Sequence, residues 1–423
     1  MDSEEEKMEE IHKTSSQSPT LRLLMQWYGP YGLYPKHTQR SSKQSRTSSS
    51  NDDQNQVSER RFSGSFPPDL AWEILSRLPA KSIVRSRAVS KLWSSITTNP
   101  DFIKPFPALS SSSPCLLMIF QKGETRFVFS FPQHQNPVDD DPYSQVERYE
   151  ESINPEDRHL SCSDSVHGLI CFETPTNLEI WNPTIRRFFT LPKPESSLSY
   201  LRGFLGYDPV ECKYKVLIFL PETEIRVLTL GAQESWRKIK ASPMHCCTPT
   251  SGNKARCVNG VLYYIAKSGL TMKEAIMSFD LRLEKFNLIE FPMDDHSNVL
   301  MVTYEGRLGL VSSMPDDVKI WVLEDAENKK WSYKRFVFPQ SSHQEWIWFD
   351  FKGVTDAGEL IYTPSSFYDS FHVVYFDPKK QSVRETKFEG VACDEFRRLK
   401  GLGFRPFHDL NVFPDHIESL FSL

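Results

Sequence analysis

The sequence lacks any long apolar run, and none approaches the roughly 18 residues that a membrane-spanning helix needs. It begins MDSEEEKMEE, an acidic stretch without the basic start and apolar core of a secretory signal. The net charge is −5, so the basic surface typical of nucleic-acid-binding proteins is missing. We therefore expect an intracellular protein, in the nucleus or the cytosol, with neither a membrane nor a nucleic acid as partner.

The eight cysteines contain no CxxC pair and no regular spacing. Without a secretory signal, such cysteines are expected to be reduced thiols. The densest group is His245, Cys246, Cys247 and Cys257. Zinc sites use ligands two to four residues apart, and adjacent cysteines fit that spacing poorly. The sequence therefore predicts no metal site and no cofactor.

Catalytic motifs are also missing. The chain has no GxSxG elbow, no GxxxxGKS phosphate loop and no HExxH pair. His159 and Asp164 lie near Ser161 and Ser163, but neither serine stands in a nucleophile motif. The acidic run at 139–141 is typical of a solvated loop rather than a calcium site. We therefore predict that the protein is not itself an enzyme.

Residues 1–61 are rich in Ser, Gln, Glu, Lys and Arg and have almost no periodic apolar residues. Such a segment cannot bury a core, so a disordered tail is predicted. Its spaced basic residues could form a nuclear address, but a solvated linker is the favoured interpretation.

Residues 63–105 are predicted to form a small helical domain. In FPPDLAWEILSRLP, at 66–79, the apolar residues cover an arc of about 140–200°, wider than the ~100° stripe that one core requires. They are Leu70, Ala71, Trp72, Ile74, Leu75 and Leu78. The first helix is therefore either deeply buried or in contact with two neighbours.

Further helices are predicted after Pro79. Asp69 is the expected cap of the first helix, and Ser90 is the expected cap of the third, which ends at Asn99 and Pro100. The second begins near Lys81. A domain of about forty residues without a disulfide is usually too small to be stable alone. It therefore needs a partner, within the chain or outside it.

From Cys115 onward, short runs of β-branched and aromatic residues alternate with turn residues. A quasi-repeat recurs around Gly168, Gly206, Gly260, Gly306 and Gly358. In most copies an aromatic residue precedes Asn or Asp in a turn, as at 181–182, 279–280 and 375–377. The period predicts an all-β propeller of about six blades over 110–423, with DHIESLFSL at 415–423 as the closing strand.

The segment 66–102 resembles an F-box. The matching positions are Pro67, Asp69, Leu70, Glu73, Ile74, Leu75, Arg77, Leu78, Pro79, Lys81, Ser82, Arg87, Val89, Ser90, Lys91 and Trp93. Phe66 and Ser86 depart from the pattern, since an aliphatic and a large apolar residue are usual there. The resemblance implies a small, three-helix, all-α F-box.

The remainder resembles the plant F-box-associated interaction domain in phrases such as GFLGYDPVECKYKVLIF, VNGVLYYIA and IWNPTIRRFFTLP. Together, the two resemblances imply a substrate-recognition subunit of an SCF-type ubiquitin-protein ligase. Its F-box would bind a Skp-family adaptor, and through it a cullin, while the β domain recruits a target protein for ubiquitination. The implied adaptor-binding residues are Pro67, Leu70, Ile74, Leu75, Leu78, Pro79, Val89 and Trp93.

A ligase-independent interaction scaffold is the alternative, and adaptor capture by residues 63–105 would distinguish the two. The sequence does not identify the target or the surface that binds it. Because propellers bind partners through loops at one face, the longer predicted loops are the candidates. These are residues 133–152, 243–253 and 340–345.

Overall fold

The computed structural model describes most of the chain after residue 66. The described ranges are 67–106, 114–133, 147–153, 161–174, 177–194, 202–220, 224–232, 235–247, 255–269, 273–296, 299–314, 317–337, 349–368, 370–388, 394–403, 405–408 and 410–423. The predicted disordered tail, residues 1–61, lies outside them. They form four short helices followed by a β domain, and one more helix lies late in the chain.

The helices of the described residues are α1 (Pro68–Ser76), α2 (Ala80–Ser86), α3 (Lys91–Thr97), α4 (Pro100–Ile103) and α5 (Asp394–Leu399). None of these helices is long and apolar enough to cross a membrane. The chain divides into two compact units at Leu78, with α1 in the first and all other described elements in the second. This division falls inside the predicted helical domain 63–105, whose limits stay a prediction here.

The helix caps agree with the sequence at Ser90 and differ at Asp69. The Ser90 side chain accepts a hydrogen bond from the Trp93 backbone N–H at 3.1 Å, as predicted. Asp69 does not cap α1, because that helix begins earlier: Pro67 is the cap residue and its carbonyl accepts from Ala71. Asn99 caps α4, a one-turn helix that the sequence did not predict.

The strands of the described residues are β1 (Cys115–Lys122), β2 (Thr125–Pro132), β3 (Glu147–Ser152), β4 (Ser161–Val166), β5 (Leu169–Glu173), β6 (Leu178–Asn182), β7 (Arg187–Thr190), β8 (Arg202–Asp208), β9 (Lys213–Phe219), β10 (Ile225–Thr229), β11 (Arg237–Ile239), β12 (His245–Cys246), β13 (Arg256–Val258), β14 (Val261–Ser268), β15 (Glu274–Asp280), β16 (Lys285–Ile289), β17 (Val299–Tyr304), β18 (Arg307–Met314), β19 (Asp317–Asp325), β20 (Lys330–Val337), β21 (Phe349–Val354), β22 (Leu360–Pro364), β23 (Ser366–Phe367), β24 (Phe371–Asp377), β25 (Ser382–Phe388), β26 (Phe407–His408) and β27 (Asn411–His416). All their pairings are antiparallel.

Six sheets form the blades of a propeller, which confirms the predicted fold and blade number. Blade 1 has the order β27-β1-β2-β3. Blades 2 to 6 follow in chain order and begin at β4, β8, β12, β17 and β21. The innermost strands contact one another in a closed ring, β27-β4-β8-β13-β17-β21. The propeller is therefore closed by a late strand that completes the first blade.

The closing strand lies earlier than predicted. It is β27, and only Asp415 and His416 of the predicted segment 415–423 belong to it. The register of β27 against β1 shifts between the pairs Leu117–Phe413 and Cys115–His416. This irregularity accommodates Pro414, which cannot donate to a regular ladder.

The apolar core lies between the blades. Six clusters of buried side chains each join two adjacent blades, and the ring of clusters is also closed. The cluster between blades 6 and 1 contains Phe120, Phe127 and Tyr375. Trp181 is fully buried between blades 1 and 2, and Phe188 stacks on it with ring centroids 5.7 Å apart. The repeated aromatics therefore pack blade against blade.

The antiparallel order gives the propeller two faces. We call face 1 the side on which β1 begins and β27 ends, where Cys115 pairs with His416. Most strands meet on face 1 through turns of two to five residues. The strands that are joined from one blade to the next end and begin on the opposite side, which we call face 2, as β16 does at Ile289 and β17 at Val299.

Several turns of face 1 share one local structure. Five of them begin with an acidic or amide side chain whose Oδ1 accepts from the backbone N–H two and three residues later, and each has a left-handed residue at the fifth position. These five are Asn182, Asp208, Asp280, Asp325 and Asp377. Gly206 differs from the other repeat glycines, because it lies inside β8, where the Leu281 side chain occupies the space of a Cβ.

Candidate functional site

Helix α1 carries its apolar residues on two sides that differ in exposure. Ala71 and Leu75 are fully buried. Leu70 is 49% exposed, and Ile74 is half-buried. The broad arc seen in the sequence is therefore divided into an inner side and an outer side. The outer side is an apolar surface on the first helix of the domain.

The other residues that are predicted to bind an adaptor also differ in exposure. Pro67, Pro79 and Val89 are exposed, whereas Leu78 is half-buried. Trp93 is buried, and its backbone N–H donates to the Ser90 side chain that caps α3.

Leu75 and Trp93 therefore contribute little surface in the isolated chain. The sequence could not make this distinction, since both sides of the α1 arc are equally apolar. Contact of all eight predicted residues with an adaptor stays a prediction.

Helix α2 lies against face 1 of the propeller. The Ala80 backbone N–H donates to the Glu418 carboxylate at 3.1 Å, and Glu418 lies two residues after the end of β27. Near the other end of α2, burial and the positive charge of Arg187 lower the pKa of Arg87. Arg187 is the first residue of β7, after a face 1 turn. Face 2 is therefore directed away from α2.

The three candidate target-binding loops do not share a face. The first predicted loop, 133–152, includes β3, since residues 147–152 form that strand. The end of β2 and the start of β3 lie at face 1. The other two predicted loops, 243–253 and 340–345, lie in links between blades. In each link, one strand ends at face 2 and the next strand begins there. Of these loops, residues 134–146, 248–253 and 340–345 lie outside the described residues.

A cavity of about 240 Å³ lies among the innermost strands. Arg256 of β13 forms an ion pair with Asp164 of β4, and its Nε donates to the Met301 carbonyl of β17 at 2.7 Å. Burial lowers the pKa of Arg256 to about 10. One guanidinium thus links the inner strands of three blades, and this pair was not predicted from the sequence. The cavity is lined by Asp164, Arg256, Leu300, Met301, Val302, Phe351, Lys352, Leu410, Asn411 and Val412.

The His245 and cysteine group has structural contacts instead of a shared centre. The His245 ring nitrogens lie 2.7 Å from the Pro243 carbonyl and 2.7 Å from the Tyr264 hydroxyl. Burial lowers the pKa of His245, which favours its neutral ring. Cys257 contacts Tyr207. In the described parts of the chain, no group of three potential metal ligands comes together.

Comparison with known proteins assigns both halves of this architecture. Residues 64–105 match the F-box domain, and residues 115–417 match the F-box associated beta propeller domain. The F-box protein At5g18160 of Arabidopsis thaliana is 50% identical over 85% of this chain and 92% of its own length. Two further Arabidopsis thaliana F-box proteins, At1g47790 and At4g09190, are 43% and 46% identical over 85% and 86% of this chain and 94% and 97% of theirs.

Among solved structures, a TolB candidate from Agrobacterium tumefaciens aligns with 71% of this chain and 99% of its own. Its identity is 10% and its TM-score is 0.36, too low to support any argument about this chain. The family matches cover the helical and the β parts together, and the relatives extend over both. The chain therefore belongs to the family of F-box proteins with an F-box associated beta propeller domain.

Proposed function

We propose that this protein is the substrate-recognition subunit of an SCF-type ubiquitin-protein ligase. Its F-box binds a Skp-family adaptor and through it a cullin, and its propeller holds a target protein for ubiquitination. F-box proteins are in general non-catalytic substrate adaptors, and F-box domains in general bind Skp1-like proteins. The chain would act by positioning, since holding a target near the charged conjugating enzyme raises the effective concentration of its lysines.

The observation that carries this proposal is the exposed apolar side of α1. Leu70 is 49% exposed although the same helix fully buries Leu75. A single exposed leucine is common on protein surfaces and does not by itself indicate a binding site. Here it continues into the half-buried Ile74 and Leu78 on a segment that matches the F-box, which supports an adaptor as the partner of this side.

The arrangement of the two faces supports face 2 as the target side. Helix α2 and the entry into β1 both lie at face 1. A target bound at face 2 would leave the contacts of α2 undisturbed. The two functions would then use separate surfaces, as a receptor that binds adaptor and target together requires.

The proposal is tested in cells with the full chain and one deletion variant. Proximity labelling first identifies proteins near the propeller. Deletion of residues 63–105 is then expected to leave target binding intact, abolish target ubiquitination and let the target accumulate. A deletion variant that still drives ubiquitination contradicts the adaptor role. A full chain that binds its target but captures neither adaptor nor cullin is a ligase-independent scaffold.

We also propose an intracellular location, in the nucleus or the cytosol. Seven cysteines lie in the described residues, and all seven are free thiols, which suits a reducing compartment. Fractionation of cells that express the tagged full chain tests this, and a secreted product would contradict it.

A further inference from the structure

Residues 417–423 leave the sheet after β27 and run across face 1 towards blades 2 and 3. We call this segment the strap. It passes so close to the β4–β5 turn that a Cβ on Gly168 would lie 2.6 Å from the Ile417 carbonyl oxygen. Ser419 and Leu420 are fully buried. Phe421 packs on Tyr214 of blade 3 with ring centroids 4.8 Å apart. The strap is therefore an integral part of the propeller surface.

Asn182 holds the strap by its side-chain amide. The Nδ2 group donates to the Ser419 carbonyl at 3.0 Å and to the Phe421 carbonyl at 2.9 Å. The Oδ1 atom accepts from the Thr184 backbone N–H at 3.0 Å, as in the other face 1 turns. Thr184 adds a third bond, because its hydroxyl accepts from the Ser419 N–H at 3.1 Å.

The residue type at this turn is informative. The equivalent positions of the other four turns are aspartates, Asp208, Asp280, Asp325 and Asp377. A carboxylate forms the turn equally well, since only Oδ1 is needed for it. Only an amide can also donate to two carbonyls. Asn182 therefore combines the turn with the anchoring of the strap.

On its other side, the strap contacts α2. Glu418 accepts from the backbone N–H of Ala80, the first residue of this helix. The residue before it, Pro79, has no side-chain acceptor, and the first turn of α2 has no acidic residue of its own. A negative charge at this end also suits the helix dipole. Glu418 thus supplies the cap that the α2 sequence lacks.

We propose that the strap couples α2 of the F-box to the propeller, with Glu418 and Asn182 as the positioning residues. Anchoring by Asn182 fixes the path of the strap, and the strap presents Glu418 to the end of α2. The coupling would hold α2 at a fixed position on face 1. A role of this fixed position in ubiquitin transfer rests on the proposed function, whereas the coupling itself does not.

Hydrogen-exchange mass spectrometry of the full chain, without any partner, tests the coupling. Asn182→Asp keeps the turn acceptor but removes both donors to the strap. We expect exchange to rise about tenfold or more in peptides from both the strap and α2. Peptides from blades 5 and 6 should not change. The reverse substitution at an equivalent turn, Asp280→Asn, is the matched control. It should change hydrogen exchange in neither the strap nor α2.

Variants of Glu418 test the link to the helix directly. Glu418→Ala should raise exchange in α2, and Glu418→Gln should restore most of the protection, because its amide oxygen still accepts. If Asn182→Asp frees the strap while α2 exchange stays as in the wild type, the strap is only a part of the propeller and the proposal is overturned. Failure of adaptor binding would leave these results unaffected, so the two proposals fail independently.

Discussion

Leu70 and Leu75 lie on the same nine-residue helix, yet Leu70 is 49% exposed and Leu75 has no exposed surface. One side of the apolar arc is therefore inside the fold, and the other side is open to solvent. Each leucine then predicts a different consequence when it is shortened.

The first prediction concerns stability. Leu75→Ala removes a fully buried side chain and should lower the free energy of unfolding by about 2–5 kcal/mol. Leu70→Ala should change it by no more than about 0.5 kcal/mol, since its surface is largely in water already. Chemical denaturation followed by helix-sensitive circular dichroism measures both. Equal losses for the two variants would show that the inner and outer sides of α1 are assigned incorrectly.

The second prediction concerns ring closure. Removal of residues 411–423 deletes β27 and leaves β1 as an unpaired strand edge, so the variant should aggregate. Removal of 417–423 alone leaves the β27–β1 ladder and should give a soluble but less stable protein. Light scattering and thermal unfolding compare the two. A soluble, monomeric 411–423 deletion with the wild-type melting temperature would contradict closure by β27.

The third prediction compares two turn glycines. Gly168 and Gly306 have φ values of 84° and 72° and follow a left-handed residue in equivalent turns. Alanine should cost about 1 kcal/mol at either position from backbone strain alone. Only at Gly168 would the new Cβ meet the strap, whereas nothing lies within 4 Å of it at Gly306.

Gly168→Ala should therefore lower the free energy of unfolding by a further 1–3 kcal/mol or so, the usual range for overpacking. Equilibrium denaturation of the two variants gives the difference directly. If both alanine variants lose the same amount, the strap does not pack on the Gly168 turn in solution.

The fourth prediction is a pH dependence at Asp415. Burial and the nearby charge of Asp356 raise the pKa of this carboxyl to about 7, against the effect of its hydrogen bond from Gln133. In the unfolded chain the pKa returns to about 3.9. Between these values the folded state binds the extra proton, so the contribution of Asp415 to stability rises as pH falls from about 7 towards 4.

Asp415→Asn removes that proton equilibrium and should flatten the profile. The wild type should gain up to about 1.4 kcal/mol per pH unit relative to the variant within this window. Denaturation at several pH values between 4 and 8 measures the difference. Parallel profiles for the two proteins would mean that Asp415 titrates normally in the fold.

Much of the fold could be predicted because its signals are local. The Asn and Asp turn positions and the alternation of short apolar runs identify the blades, and Ser90 marks a helix start. The position of the closing strand was missed because Pro414 looks like a strand breaker, and only the irregular pairing with β1 accommodates it. The sides of α1 could not be separated either, since Leu70 and Leu75 are chemically identical.

The second role of Asn182 depends on a contact more than two hundred residues away. The spacing of residues within the turn does not reveal this contact, although the residue type at the turn is a signal. This is the one Asn among the five described turns of this type, and the other four have Asp. The contact of Glu418 is also distant in sequence, since its partner Ala80 lies in the other domain.

Calorimetric titration of a purified Skp-family adaptor into the full chain tests the central claim most directly. We expect one adaptor to bind per chain, and Leu70→Asp to weaken binding at least about tenfold, because it buries an unpaired charge in the interface. Leu283→Asp, at an exposed apolar residue in a propeller turn, should bind as the wild type does. Absence of binding by the wild type, or equal affinity of Leu70→Asp, would contradict the account.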